Sequence, residues 1–259
     1  MEVAGAALGT LISRVIMLII LVMSLKYSKK FSIHFISFFK GFYNKLIVNN
    51  LLKLGFPSAL QMLFEFGIFT SSIFLSGTLN TESQAANQIA LNLATMTFMV
   101  VVGLGVTSTV RVGNQMGTKN YRELKRIMGS IFLLVLIIQT TFAILFILLK
   151  DYLPLFYIDD MQVVSIASHL LLVVALFQLS DGFQVAILGV LRGMQDVNVP
   201  TLLLFVAYWC IGFPIAYFLG KANMYGAFGI WLGLFASLSA SSTFLFFRYR
   251  YLLAKKINS

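Results

Sequence analysis

Residues 54–79 read LGFPSALQMLFEFGIFTSSIFLSGTL, and this run decides the fold. At about 1.5 Å of rise per residue a helix of this length crosses a hydrocarbon core of about 30 Å. Its single Asp, Glu, Lys or Arg is Glu65, more than two helical turns from either end. A second apolar run, Val163–Leu191, holds Asp181 in the same isolation. An acidic residue at the centre of a membrane helix costs about 2.5–3.5 kcal/mol on insertion scales, and such residues mark ion or substrate paths.

Apolar runs recur along almost the whole chain. Of 259 residues 59% are hydrophobic and 11% charged, where soluble domains carry about a quarter charged residues. Mean hydropathy is +0.91. The runs predict seven spans at 5–25, 55–78, 86–109, 127–149, 164–188, 201–220 and 227–247. A backbone in lipid must satisfy its own hydrogen bonds, so long continuous runs predict helices, whereas barrel strands would be short and alternating. The expected fold class is an all-α polytopic membrane helical bundle.

The net charge of +10 is not a nucleic-acid signature, because of where the cations lie. Lys26, Lys29, Lys30, Lys40, Lys45 and Lys53 fill the first connection, and Arg111, Lys119, Arg122, Lys125 and Arg126 the third. Arg192 follows span five; Arg248, Arg250, Lys255 and Lys256 follow span seven. All four segments share one side if each span crosses once. The opposite loops hold Lys150 and Lys221 with Glu82, Asp151, Asp159 and Asp160. The positive-inside rule then places the C-terminus in the cytoplasm of a multi-pass cell (inner) membrane protein, with membrane lipid as a partner and no nucleic acid.

Negative evidence narrows the function. Cys210 is the one cysteine, so neither an intramolecular disulfide nor a Cys-based metal site is open to the chain. His34 and His169 have no metal-ligand spacing. Gly103 and Gly105 lack a preceding strand and a third glycine, and no P-loop, HExxH or Ser/His/Asp pattern occurs. The expectation is a protein that is not an enzyme and has no ATP site. Met1–Ala7 lacks a basic segment, so the first run reads as a span rather than a signal peptide.

The domain reading is a first span at 1–25, a basic linker at 26–53, a six-helix block at 54–247 and a basic tail at 248–259. Within the linker, Phe31–Leu46 spaces aromatics against lysines as an amphipathic interfacial helix would. Pro57 and Pro200 fall near the starts of their spans, where a first-turn proline is tolerated. Gly113, Gly117 and Asn120 are expected to break the chain after span three, and Gly189 and Gly193 to bracket the exit from span five. Pro214 lies inside span six and predicts a kink or hinge. Gly229 and Gly233 form a small-xxx-small pair suited to close packing.

Several motifs, in order, resemble the C-terminal half of the multidrug and toxic compound extrusion (MATE) family. They are Gly55-Phe-Pro57 with Glu65, residues 84–92 (QAANQIALN), Gly103-Leu-Gly105 through residues 111–117 (RVGNQMG), residues 176–182 (LFQLSDG), residues 189–193 (GVLRG), and Tyr208-Trp209 with Gly212 and Pro214. The resemblance covers about residues 4–250. It implies the last helix of an N-lobe plus the six-helix C-lobe of a twelve-helix transporter. The first five helices would then be missing from this chain, as in a fragment, a truncated frame, or a half completed by a partner chain.

By the same resemblance, Glu65 and Asp181 match acidic residues of the family's cation site. Phe177 stands where some members place a tyrosine, leaving no hydroxyl there. Gln61 and Phe69 lie one turn either side of Glu65 on its face, and with Gln88, Asn92, Phe177, Gln178 and Gln184 they are candidates to line the cavity. Each amide reads equally as a helix–helix bridge. Arg14, alone in span one, reads as a structural or snorkelling cation.

The implied activity is secondary active export of an organic, often cationic compound against Na⁺ or H⁺. It needs no cofactor beyond the coupling ion and no metal beyond Na⁺ at Glu65 and Asp181. A lipid-linked oligosaccharide flippase and a non-transporting membrane subunit are the alternatives.

Overall fold

The computed structural model describes residues 2–27, 44–119, 121–221 and 225–257. Its long helices are α1 (Glu2–Tyr27), α2 (Lys45–Gly77), α3 (Thr81–Gly117), α4 (Tyr121–Leu149) and α5 (Met161–Gly193). A sixth crossing follows in three parts: α6 (Asn198–Phe205), a π-helical segment (Val206–Gly212) and α7 (Phe213–Lys221). The last is α8 (Gly226–Ile257). Seven spans among the described residues are long and apolar enough to cross a membrane. The chain divides into two units, residues 1–51 and 52–259. The first contains α1; all that follows concerns the second. Most of Phe31–Leu46, the expected interfacial helix, lies outside the described residues.

Helix ends follow local chemistry. Asn80 caps α3 by accepting from the Ser83 N–H at 2.7 Å. Asp160 caps α5 by accepting from the Gln162 N–H at 2.8 Å. Both satisfy a first-turn amide that would otherwise lack a partner.

Several helices outrun their apolar stretches. Helix α2 begins at Lys45, so Pro57 sits inside it rather than in its first turn. The carbonyls near Pro57 find hydroxyl partners: Ser58 Oγ donates to Leu54 O at 2.8 Å, and Thr201 Oγ1 to Pro57 O at 3.1 Å. Gly113 and Gly117 do not break the chain either. Helix α3 continues to Gly117, and the turn comes at Lys119, whose φ is 57°. Helix α8 continues through the basic stretch to Ile257. Hydropathy marks where a helix meets lipid, whereas backbone hydrogen bonding decides where it stops.

Helix α5 is the axis of the second unit and its most buried span. Gly189 and Gly193 lie within it, not at a turn, because α3 crosses there at backbone distance. A Cβ on Gly189 would meet the Gly105 carbonyl, and one on Gly193 would lie 2.7 Å from Thr109 O. Thr109 Oγ1 donates across the contact to Gly189 O at 3.0 Å. On the far side of the bundle, Gly233 of α8 abuts the backbone of Ala216 and Gly229 the carbonyl of Leu219, so the small-residue pair packs α8 on α7. Trp231, Tyr208, Leu170, Leu191 and Leu234 are buried between these helices. Leu133, Ile137, Ile144 and Leu148 of α4 remain exposed, as suits a surface solvated by acyl chains.

The irregularity in the sixth crossing precedes Pro214 rather than coinciding with it. The Phe213 N–H reaches back five residues to Tyr208 O, which makes the turn a π turn. Proline has no N–H for the preceding turn and its ring crowds it, so the helix widens there.

Candidate functional site

Helices α2, α3 and α5 line a partly open cavity of about 460 Å³. Glu65 of α2 and Asp181 of α5 both line it. Glu65 Oε1 and Asp181 Oδ1 are buried and accept no hydrogen bond from any protein group. A buried carboxylate oxygen in that state carries a desolvation cost that a bound cation or proton removes. The rest of the wall is largely apolar and aromatic, with amides and hydroxyls at Gln88, Asn92 and Thr95 of α3 and a hydroxyl at Thr70 of α2.

Packing fixes each carboxylate. Helix α2 is tied to the α5–α6 corner through Gln61, whose Nε2 donates to Val197 O and Thr201 Oγ1, both at 3.0 Å. Arg192 donates from Nε and Nη2 to Gln61 Oε1, at 3.1 and 2.9 Å. Phe64 packs on Phe205 at 5.2 Å, and Gly67 leaves room for the Trp209 ring. Asp181 is set by its neighbours on α5. Phe177, one turn earlier, meets Phe69 at 5.9 Å and Trp231 at 5.3 Å, both edge-on. Trp231 Nε1 is held by Asn87 Oδ1 at 2.9 Å. Gly182 admits α4, since a Cβ there would lie 2.8 Å from Gln139 Cγ and from Val135 Cγ1.

Glu65, Asp181, Phe69, Gln88, Asn92 and Phe177 thus line one cavity. Gln61, Gln178 and Gln184 do not, and their surroundings explain why. Gln61 is fully buried with its amide nitrogen and oxygen both engaged at the helix corner. Gln178 is buried among the helices; its backbone carbonyl accepts from Gln139 Nε2 at 2.8 Å and its own side-chain amide is buried without a partner. Gln184 donates to the Tyr208 hydroxyl at 2.5 Å and accepts from Ser241, tying α5 to the π segment and α8. The Tyr208 hydroxyl is buried outside the cavity lining and held by Gln184. Pro214 lies two residues beyond the end of the π segment, outside the cavity lining. No cluster of His, Cys, Asp and Glu fit to hold a metal occurs among the described residues.

Arg192, counted in the sequence among loop cations, belongs to helix α5 and is half-buried. Asn87 and Tyr208 lie within the quoted motifs, but the sequence assigns neither a role; the structure pairs them with Trp231 and Gln184. One polar residue inside an apolar run carries no label of its partner, and each becomes informative only through the helix it meets.

The MatE family model matches residues 57–218. The chain belongs to the MatE family. Among its relatives are "Probable multidrug resistance protein NorM" of Xylella fastidiosa, 37% identical over 203 residues, and "Multidrug resistance protein MdtK" of Proteus mirabilis, 35% identical over 199. These alignments take in 78% and 75% of this chain but 43% and 44% of the relatives, so the chain spans less than half the length of these two relatives. In fold it is similar to the eukaryotic MATE transporter AtDTX14, with a TM-score of 0.80 at 17% identity over 90% of this chain and 52% of that one. It is also similar to the MATE transporter VcmN of Vibrio cholerae, with a TM-score of 0.72 at 16% identity over 80% and 47%. The MatE fold and a polytopic membrane helical bundle follow.

Proposed function

We propose that this chain forms the cation-coupling lobe of a secondary multidrug antiporter, which exports organic, often cationic compounds against inward-moving Na⁺ or H⁺. The observation that carries the proposal is the pair Glu65 and Asp181, each with a buried carboxylate oxygen lacking a partner, in one aromatic-walled cavity. The names of the NorM and MdtK relatives support the multidrug assignment. The basic segments support a cytoplasmic C-terminus.

The coupling step is electrostatic. Empty, the cavity holds carboxyl groups away from water; a coupling cation or proton neutralises them and removes that cost. Neutralisation drives a conformational change only to the extent that the cation binds one state more tightly than the other. The phenyl rings of Phe69 and Phe177 offer faces and edges to a flat or cationic organic substrate. A flippase of anionic lipid-linked sugars would place cations in the cavity, and its described lining has none. The activity is that of the whole transporter, in which the five further helices implied by the resemblance would complete the path.

The test is cation-driven efflux from cells or proteoliposomes carrying the full transporter. Glu65→Gln and Asp181→Asn should each abolish coupling while leaving protein in the membrane. Intact cation-driven efflux in both variants would overturn the proposal.

A further inference from the structure

Arg192 is an unusual cation. Its guanidinium is half-buried beside α2, yet among the described residues it forms no ion pair. It rests on a neutral amide oxygen, Gln61 Oε1, through two donors. Gln61 cannot turn that oxygen away, because its Nε2 is fixed by Val197 O and Thr201 Oγ1. One turn further along the same face of α2, at about 6 Å of helix rise, Glu65 Oε1 is buried with no partner. A half-buried cation on a neutral acceptor and an unpartnered carboxylate are thus one helical turn apart, within electrostatic range of each other.

Building on the coupling role proposed for Glu65, we infer that Arg192 is an internal counter-cation that competes with the coupling ion for that carboxylate. With the ion bound, Arg192 stays parked on Gln61. When the ion leaves, the Arg192 side chain swings one turn along α2 and pairs with Glu65, moving charge and breaking no covalent bond. Arg192 stands at the end of α5 that the positive-inside pattern puts toward the cytoplasm. Its arrival therefore displaces the ion from the cytoplasmic flank and keeps the emptied carboxylate from remaining an isolated buried charge. The other ionisable groups within range of Glu65 are Asp181 of α5 and Tyr208 of the π segment; α3 faces the cavity with neutral Gln88, Asn92 and Thr95. Arg192 is a positioning residue in this scheme, because it acts on the ion through Glu65.

The test is a cation titration of purified full transporter in lipid nanodiscs. Carboxyl infrared bands are followed, with Na⁺ at fixed alkaline pH and, separately, with protons in Na⁺-free buffer; the Glu65 band is assigned by its loss in Glu65→Gln. Arg192→Gln should tighten cation binding at Glu65 by about tenfold, equivalent to about 1.4 kcal/mol. Gln61→Met, which removes the parking place, should weaken it, and the double variant should match Arg192→Gln. A purely structural role would move both single variants the same way. Unchanged or weakened binding in Arg192→Gln, with Glu65→Gln silent, overturns the counter-cation role alone. Unchanged binding in Gln61→Met does the same should Arg192→Gln not fold. If neither Na⁺ nor protons titrate a Glu65 band in the parent protein, both this inference and the coupling role fall.

Discussion

Phe69 and Phe177 meet edge to face across the cavity, with ring centroids 5.9 Å apart and planes at 75°. They come from α2 and α5, the helices that also carry Glu65 and Asp181. The ring pair therefore sets how far apart the two acidic helices stand, and Phe177 in turn rests on Trp231.

Phe177→Ala removes a nearly fully buried ring and both of its aromatic contacts. Large-to-small changes of this kind cost about 3–5 kcal/mol in well-packed interiors. Phe69→Ala removes one contact from a half-buried ring and costs less. The expected order of melting temperature in detergent is parent, Phe69→Ala, Phe177→Ala, read by tryptophan fluorescence. A Phe69→Ala variant less stable than Phe177→Ala would contradict the packing described.

Two glycines on the same pair of helices should behave oppositely. Gly189→Ala forces a methyl group onto the Gly105 carbonyl, so α3 and α5 must separate. Gly103→Ala meets nothing within 4 Å and gains up to about 1 kcal/mol of helix propensity. Monodisperse yield on size exclusion should collapse for Gly189→Ala and hold or rise for Gly103→Ala. Equal behaviour would show that the α3–α5 crossing is not backbone-close.

Tyr208→Phe deletes the acceptor for Gln184 Nε2 in a fully buried site. Leaving such a donor unpaired costs about 1–3 kcal/mol. Gln184→Leu in the same background removes the orphan and should restore part of the loss. The four proteins of this double-mutant cycle, compared by thermal melting in one detergent, give the coupling; additive losses would exclude the contact.

Asp196 and Arg248 pair through two parallel bonds, at 2.8 and 3.1 Å, with side chains 17% and 24% exposed. This bidentate bridge pins the α5–α6 turn, where Gln195 takes a φ of 62°, to the C-terminal part of α8. A partly buried bridge of this geometry exceeds the 0.2–1 kcal/mol of exposed pairs. Arg248→Lys should lose most of it, because an ammonium cannot make the fork. Faster limited proteolysis within residues 194–198, with the spans intact, is the expected readout; an unchanged cleavage rate would contradict it.

Much of the molecule was legible from one dimension. Uninterrupted apolar runs allow only hydrogen-bonded helices in lipid, so the all-α bundle and its crossings could be counted from hydropathy. The isolation of Glu65 and Asp181 was equally plain, because a charge among hydrocarbon stands out in any window. Helix ends were less legible: Lys45–Lys53, Arg111–Gly117 and Arg248–Ile257 are polar enough to read as loops, yet continue helices whose amides remain paired. Gly189 and Gly193 read as turn residues, since a helix-packing glycine and a turn glycine look alike until the neighbouring helix is in place.

The sequence by itself determined that the chain spans a membrane as helices and keeps two acids inside it, because single-residue transfer costs sum along a run whatever the neighbours. Tertiary structure alone decided that those acids share a cavity, that Gln61 and Gln184 bridge helices instead of lining it, and that Arg192 parks one turn from Glu65. Each of these depends on which helix face meets which, and that is set by glycine-width crossings and a π turn whose effects have no counterpart in composition or periodicity.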